Sequence, residues 1–417
     1  MRVLWIATPA CNYIPKGYSD KGYNGGGWIS SLQSEVAKDG DIQLGIAFCK
    51  DGEPWKVEQK GVTYYIVPNH RKPFKDKILD LWHSQDPRRD EVLWPYYESQ
   101  FQKIIEDFQP DVIEIFGSEL YQQLSAHVVG SIPTVLHIQG LLSHSIYILL
   151  PPGLSKWRFI RSGKGIRGKF AHYQYLCYWR RSVWREKSIL RSVSHVIGRT
   201  AWDRQALAEL NPKAEYHYGG EILRDVFYQE CQREIPARPV IVSTISGAPY
   251  KGYDVILKVA DILKNELHMD FEWKVYGIKD SQLMEKITGI RHNDVSVQLC
   301  GVASADTIHD ALLHCTLYLH PSYIENSPNS VCEAQLTGIP VVASRVGGTA
   351  SLVEHGKTGY LYPVTDPYMA AYYINRLVSD REENILMGKA SRKEALVRHD
   401  KGTIASALIE LYRKMLR

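Results

Sequence analysis

The sequence predicts an α/β protein of two domains, each built on an open parallel sheet. Short apolar, β-branched runs alternate with segments whose apolar residues recur at helical spacing, the pattern of parallel strands with covering helices. The pattern starts afresh at Pro239, after the polar, charge-rich stretch YQECQREIPAR at 228–238. A chain of 417 residues also exceeds what one hydrophobic core organises comfortably. The expected division is an N-terminal domain over 1–228, a C-terminal domain over 229–400, and a helical segment, 401–417, able to cross back to the first. The composition, 44% hydrophobic and 23% charged, is that of a globular protein and excludes a disordered one.

Taken in order, 3–8 reads as a strand, followed by a loop with Gly25, Gly26 and Gly27 and a helix from about Trp28. Strands follow at 111–116 (DVIEIF) and 134–138 (TVLHI). The segment RSVWREKSILRSVSHVIGRTAWD reads as a helix into a strand ending at Arg199 and Thr200. In the second half PVIVSTISG is a strand ending in a loop, and YDVILKVADILKNEL is a helix. Further strands are expected at 273–276, 295–299, 317–320 and 340–343, and a helix at 404–415. Open parallel sheets place ligands beyond the carboxyl ends of their strands, so a cleft between the halves is the expected site.

The most informative stretch is HPSYIENSPNSVCEAQLTGIPVVASRVGGTASLVEHG, 320–356. Ser327 reads as an N-cap, Pro328 as the first helical residue and Gly338 as the stop. Asn329, Ser330 and Val331 would then offer free N–H groups at a helix N-terminus, where the macrodipole favours an anion such as a phosphate. Glu333, about a turn further in, can accept hydrogen bonds from two ribose hydroxyls. A second glycine turn, Gly347 and Gly348, follows the next strand.

Glu325 and Glu333, seven residues intervening, followed by EA…GIPVVAS…GG…LVEHGKTGYL, resemble the retaining nucleotide-sugar glycosyltransferases of family 4. The resemblance implies two Rossmann-like domains facing across a cleft, the GT-B fold. It implies that Glu325 contacts the donor sugar or its phosphate oxygens and that Glu333 binds the ribose. Lys251, in Tyr250-Lys251-Gly252, is similar to the lysine that grips the diphosphate. Gly26 and Gly27 resemble the N-terminal glycine turn near the donor phosphates, and Gly277 falls where the nucleobase pocket begins. Two departures stand out. Ser246 occupies the position of a frequent arginine, which makes Arg199 a candidate phosphate contact in its place. Gln139 occupies that of a frequent histidine, and His137 shares its strand face; His137, Glu325 and Lys251 are the catalytic candidates. The reaction implied is transfer of a sugar, with retention, from a nucleotide diphosphate donor to a hydroxyl of a saccharide or lipid-linked acceptor, in surface polysaccharide or glycolipid synthesis. Two rivals use the same residues. A glycoside hydrolase would need Glu325 and Glu333 as acid and nucleophile roughly 5–9.5 Å apart, against about 12 Å along eight helical residues. A nucleotide-sugar-binding protein without turnover draws only on the absent arginine.

The seven cysteines are scattered with no CxxC pair, which suits reduced core residues in a cytoplasmic protein. No His, Cys or Asp cluster has metal spacing, so neither a catalytic metal nor another cofactor is expected. The first residues are too short an apolar run for a signal peptide. Residues 156–187 hold ten Lys or Arg against the single acid Glu186, interleaved with aromatics. That stretch suits either a solvated helix with inward aromatics or peripheral contact with the inner face of a membrane; nucleic acid is not expected as a partner.

Overall fold

A computed structural model describes residues 1–9, 11–15, 27–70, 85–230 and 232–417. Gly25 and Gly26 lie outside the described residues. The chain forms two compact units, one of Met1–Ile146, Gly165–Ile222 and Asp400–Arg417, the other of Tyr147–Lys164 and Leu223–His399.

The first unit carries an eight-stranded sheet. Its strands are β1 (Arg2–Ile6), β2 (Gln43–Cys49), β3 (Lys56–Gln59), β4 (Val62–Val67), β5 (Val112–Phe116), β6 (Thr134–His137), β7 (His195–Gly198) and β8 (Glu215–Tyr218). The spatial order is β3-β4-β2-β1-β5-β6-β7-β8. Every pairing is parallel except β3 with β4. That hairpin turns through Lys60 and Gly61, both at positive φ, as a two-residue loop requires. β1 is apolar from Val3 to Ile6, and β5 is buried along its whole length with Glu114 as its one polar residue, because helices cover both faces. One face packs on Trp94–Phe108 through Phe101, Ile104 and Phe108. The other packs on Trp28–Val36 and on Lys401–Met415.

The second unit carries six parallel strands, β9 (Val240–Thr244), β10 (Glu272–Tyr276), β11 (Val297–Gly301), β12 (Leu317–His320), β13 (Val341–Ser344) and β14 (Gly359–Tyr362). Their order is β11-β10-β9-β12-β13-β14. The first strand is central, successive strands build outward on one side, and the chain then crosses to the other. This is the doubly wound order, and its switch point lies between β9 and β12. β11 starts two residues later than expected, because His292–Val295 closes a 3₁₀ turn and Ser296 takes a left-handed conformation, φ 58°.

Candidate functional site

At the switch point β9 gives way to a 3₁₀ turn, Pro249–Lys251, and then to the helix Tyr253–Asp261. Gly252 between them has φ 77°, and any side chain there would overlap the Pro321 carbonyl just after β12. The N–H of Tyr323 donates to the Tyr250 carbonyl at 2.9 Å, so the ends of β9 and β12 are tied together. This places Lys251 against Glu325, with Nζ donating to Oε1 at 2.5 Å. A second constraint comes from Gly347, φ 47°, where a side chain would overlap the Glu325 carbonyl, and from the Gly348 N–H, which donates to that carbonyl at 2.9 Å. The two glycines therefore fix the backbone on either side of one ion pair.

The electrostatics keep both partners charged. Burial opposes ionisation of Glu325, but Lys251 and then His320 outweigh it and hold the carboxyl below its usual range. Burial likewise works against the Lys251 ammonium, and Glu325 reverses it, raising the amine. His320 closes the cluster with Nε2 at 3.7 Å from Glu325 Oε1. It is 2% exposed and neither ring nitrogen has a hydrogen-bond partner among the described residues. Burial first, and Lys251 against the pull of Glu325, push His320 down to about 4, so it is neutral at physiological pH.

The following helix runs Asn329–Leu336. Its N-cap is Pro328, not Ser327: proline has ψ 111° here, outside the helical region, so the first helical residue is Asn329. The shift corrects the count of free donors. Val331 N–H donates to the Pro328 carbonyl at 3.0 Å. Asn329 and Ser330, both half-buried, carry the N–H groups that make no such bond among the described residues. Glu333, 6% exposed, has a partner that spacing does not reveal. Arg224 donates to its Oε1 through Nη2 at 2.6 Å and Nε at 3.1 Å. Burial raises the Glu333 carboxyl and Arg224 opposes this in part. Both bonds fall on Oε1, and among the described residues Oε2 accepts none. Ser246 is exposed beyond β9, and Gly277 follows β10 with its N–H on the Gly301 carbonyl at 2.7 Å.

The remaining candidates lie in the first unit. Gly27, φ 111°, caps the helix Trp28–Val36. His137, at the carboxyl end of β6, is 2% exposed and its Nδ1 lies 2.9 Å from Glu114 Oε1. Tyr412 donates to the other oxygen of Glu114, and Trp5 Nε1 donates to Tyr412 Oη at 3.0 Å. Burial drives the Glu114 carboxyl up to about 8, against the Tyr412 bond, and drives His137 well down, with Arg199 adding to it. Both are then neutral at pH 7 and share one proton between Nδ1 and Oε1. The other ring nitrogen, Nε2, has no partner among the described residues. Arg199 is 7% exposed, pairs with Glu221, and donates through Nη2 to the Ile138 carbonyl at 2.7 Å. Its guanidinium is thus engaged within the unit.

The basic stretch divides in two. Arg185 and Glu186 are fully buried: Glu186 accepts the N–H groups of Leu142 and Ser143 at 2.7 and 2.6 Å, and Arg185 lies over the Tyr121 ring. Lys156, Arg158, Arg161, Lys164, Arg167 and Lys169 are exposed, as are Trp157, Ile166 and Phe170. Among the described residues no helix is long and apolar enough to cross a membrane.

Residues 230–394 match the family described as Glycosyl transferases group 1. D-inositol 3-phosphate glycosyltransferase of Corynebacterium urealyticum is 38% identical over 95 residues, 23% of this chain and 22% of that protein. The matched stretches of the first curated relatives span only 22–41% of those proteins. Over the whole chain the fold is similar to sucrose-phosphate synthase from Thermosynechococcus elongatus, at TM-score 0.70 and 16% identity, covering 99% of this chain and 98% of that one. It is also similar to Anabaena Alr3699/HepE in complex with UDP and glucose, at TM-score 0.61 and 17% identity, covering 99% and 100%. The chain therefore has the GT-B fold, and its residues 230–394 are similar to the glycosyl transferases group 1 domain.

Proposed function

We propose that this protein is a retaining glycosyltransferase that takes a sugar from a nucleotide diphosphate donor without a metal ion. The observation that supports this most is the Lys251–Glu325 ion pair, held at the switch point of the second sheet, with Glu325 four residues ahead of the helix start at Asn329. A diphosphate on those N–H groups and on Lys251 gains charge as the glycosidic bond breaks, so preorganised donors stabilise the transition state more than the ground state. Glu325 keeps the ammonium charged and oriented, and contacts the departing sugar. The free Oε2 of Glu333 accepts the ribose hydroxyls, while Arg224 holds the carboxylate in place. The acceptor hydroxyl attacks from the side of the departing phosphate, whose oxygen takes its proton. His137 contributes its unpartnered Nε2 as a hydrogen-bonding group.

The experiment is a thermal-shift panel of UDP-, GDP- and ADP-sugars with EDTA present, followed by turnover of whichever donor raises the midpoint. One donor class is expected to stabilise the protein and to turn over at the same rate with and without chelator. Activity lost to EDTA and restored by magnesium or manganese overturns the metal-independent mechanism.

For the acceptor, the exposed cations and aromatic side chains between Lys156 and Phe170 favour a saccharide acceptor attached to lipid in an anionic membrane, as in surface polysaccharide or glycolipid synthesis. Each such cation near an anionic surface is worth about 1 kcal/mol. Replacing Lys156, Arg158, Arg161, Lys164, Arg167 and Lys169 by Gln should release the protein from anionic vesicles in co-sedimentation and leave donor binding unchanged. Equal vesicle binding by both proteins would return the stretch to a solvated surface.

A further inference from the structure

We propose that His195, Glu215 and His217 form a zinc site that clips the last two strands of the first sheet together. No cluster at metal spacing is visible in the sequence, because His195 lies far upstream of the E-x-H pair. The fold closes that gap. β7 begins at His195 and β8 at Glu215, and the parallel register sets these two residues side by side. Two-residue periodicity puts Glu215 and His217 on one face of β8. Tyr216 points to the other face, where its hydroxyl donates to Asp203 at 2.7 Å.

The ligand atoms converge. His195 Nδ1 lies 3.1 Å from His217 Nε2 and 3.5 Å from Glu215 Oε2, and His217 Nε2 lies 3.9 Å from Glu215 Oε1. One donor atom from each residue fits within 4.8 Å of the others. A tetrahedral zinc ion with bonds of about 2.0–2.1 Å needs ligand atoms roughly 3.3 Å apart, which this set approaches without moving the backbone. Two imidazoles and one carboxylate are a borderline-soft donor set that suits zinc and leaves a fourth position for water. Without a metal, the short approach of two ring nitrogens means that one donates its proton to the other. Lys414 Nζ, 3.4 Å from Glu215 Oε1, is the cation that competes for the carboxylate.

The cluster sits at the amino ends of its strands, the edge opposite the one that open sheets use for chemistry. It therefore lies away from the transfer reaction and acts on the sheet: β8 is a four-residue strand at the sheet edge that pairs only with β7 among the described strands. An ion shared by both strands stabilises the folded state by mass action.

The test uses the full chain, stripped with EDTA and desalted, then titrated with cobalt(II) chloride and zinc chloride. One equivalent of cobalt should give the visible bands of a four-coordinate nitrogen–oxygen site, zinc should displace it, and zinc should raise the thermal midpoint by roughly 2–4 °C. His217→Gln should weaken binding at least about tenfold. His195→Gln and Glu215→Gln alter side chains that are a third and a half exposed, so one of them reports even where His217→Gln fails to fold. Because six described cysteines are free, thiolate-to-cobalt charge transfer in the near ultraviolet would mean that the metal sits elsewhere and would sink the proposal. So would wild-type zinc affinity in all three variants.

Discussion

In the second unit Lys251 and Glu325 face each other as ions, whereas in the first Glu114 and His137 meet at a similar distance as neutral groups. Burial opposes charge in both places. The outcomes differ because Lys251 and Glu325 carry opposite charges that each offset the other's desolvation. Glu114 has only neutral partners in contact, and His137 feels the like charge of Arg199, so desolvation wins for both. Groups that keep their charge can follow the developing charge of a leaving phosphate. Groups that lose it serve as fixed hydrogen-bond donors and as architecture.

The largest effect should come from breaking the charged side. Glu325→Ala should lower kcat by about 10²–10³-fold, the loss typical of one preorganised transition-state contact, with little change in the donor KM. Lys251→Ala should impair both, because the diphosphate is charged before the bond breaks. Full kcat in Glu325→Ala removes that carboxylate from the reaction. Glu114→Gln, by contrast, preserves a neutral hydrogen-bonded pair and should keep kcat within a few-fold.

Next in size is Glu333→Ala. It removes a charged acceptor worth about 1.5–3 kcal/mol, so calorimetry should show nucleotide affinity falling roughly 10- to 100-fold. It also strips Arg224 of its partner. Unchanged affinity would mean that Oε2 meets no ribose.

The smallest effect sharpens the neutral side. Glu114 holds its proton to about pH 8 when folded but only to about its ordinary 4.5 when unfolded. The folded state therefore binds more protons between these values, and stability from this group falls as pH rises through the window. Glu114→Gln has no proton to lose. Its melting midpoint should drift less than that of the wild type between pH 5 and pH 8, by roughly 2–4 °C for each kcal/mol. Parallel profiles would show that Glu114 titrates normally.

What was legible in the sequence was local. Lys251-Gly252 and the Glu325–Glu333 spacing announce themselves because each lies within one strand-to-helix connection and the start of the helix it leads into. The position of the cap was misread by one residue because proline suits both the first helical position and an extended cap, and only ψ decides. The contacts that escaped are those made by register and tertiary packing. Nothing near Glu333 in sequence points to Arg224, nothing near Glu114 points to Tyr412, and β7 and β8 must pair before His195 finds His217. The stretch 156–187 shows the same limit: Arg185 and Glu186 have the composition of a solvated face, yet they are interior partners of other elements.

The Tyr412 hydroxyl, set between Trp5 of the first strand and Glu114, carries a consequence for the order in which the protein is made. The first unit is translated almost entirely before the second, but its core closes only on a helix that follows the second. On the ribosome, then, the early unit waits with Glu114 and the part of one sheet face under the last helix uncovered, while the later unit has all its strands in hand. The half begun first is finished last, and during that interval a chaperone would have an apolar surface to hold.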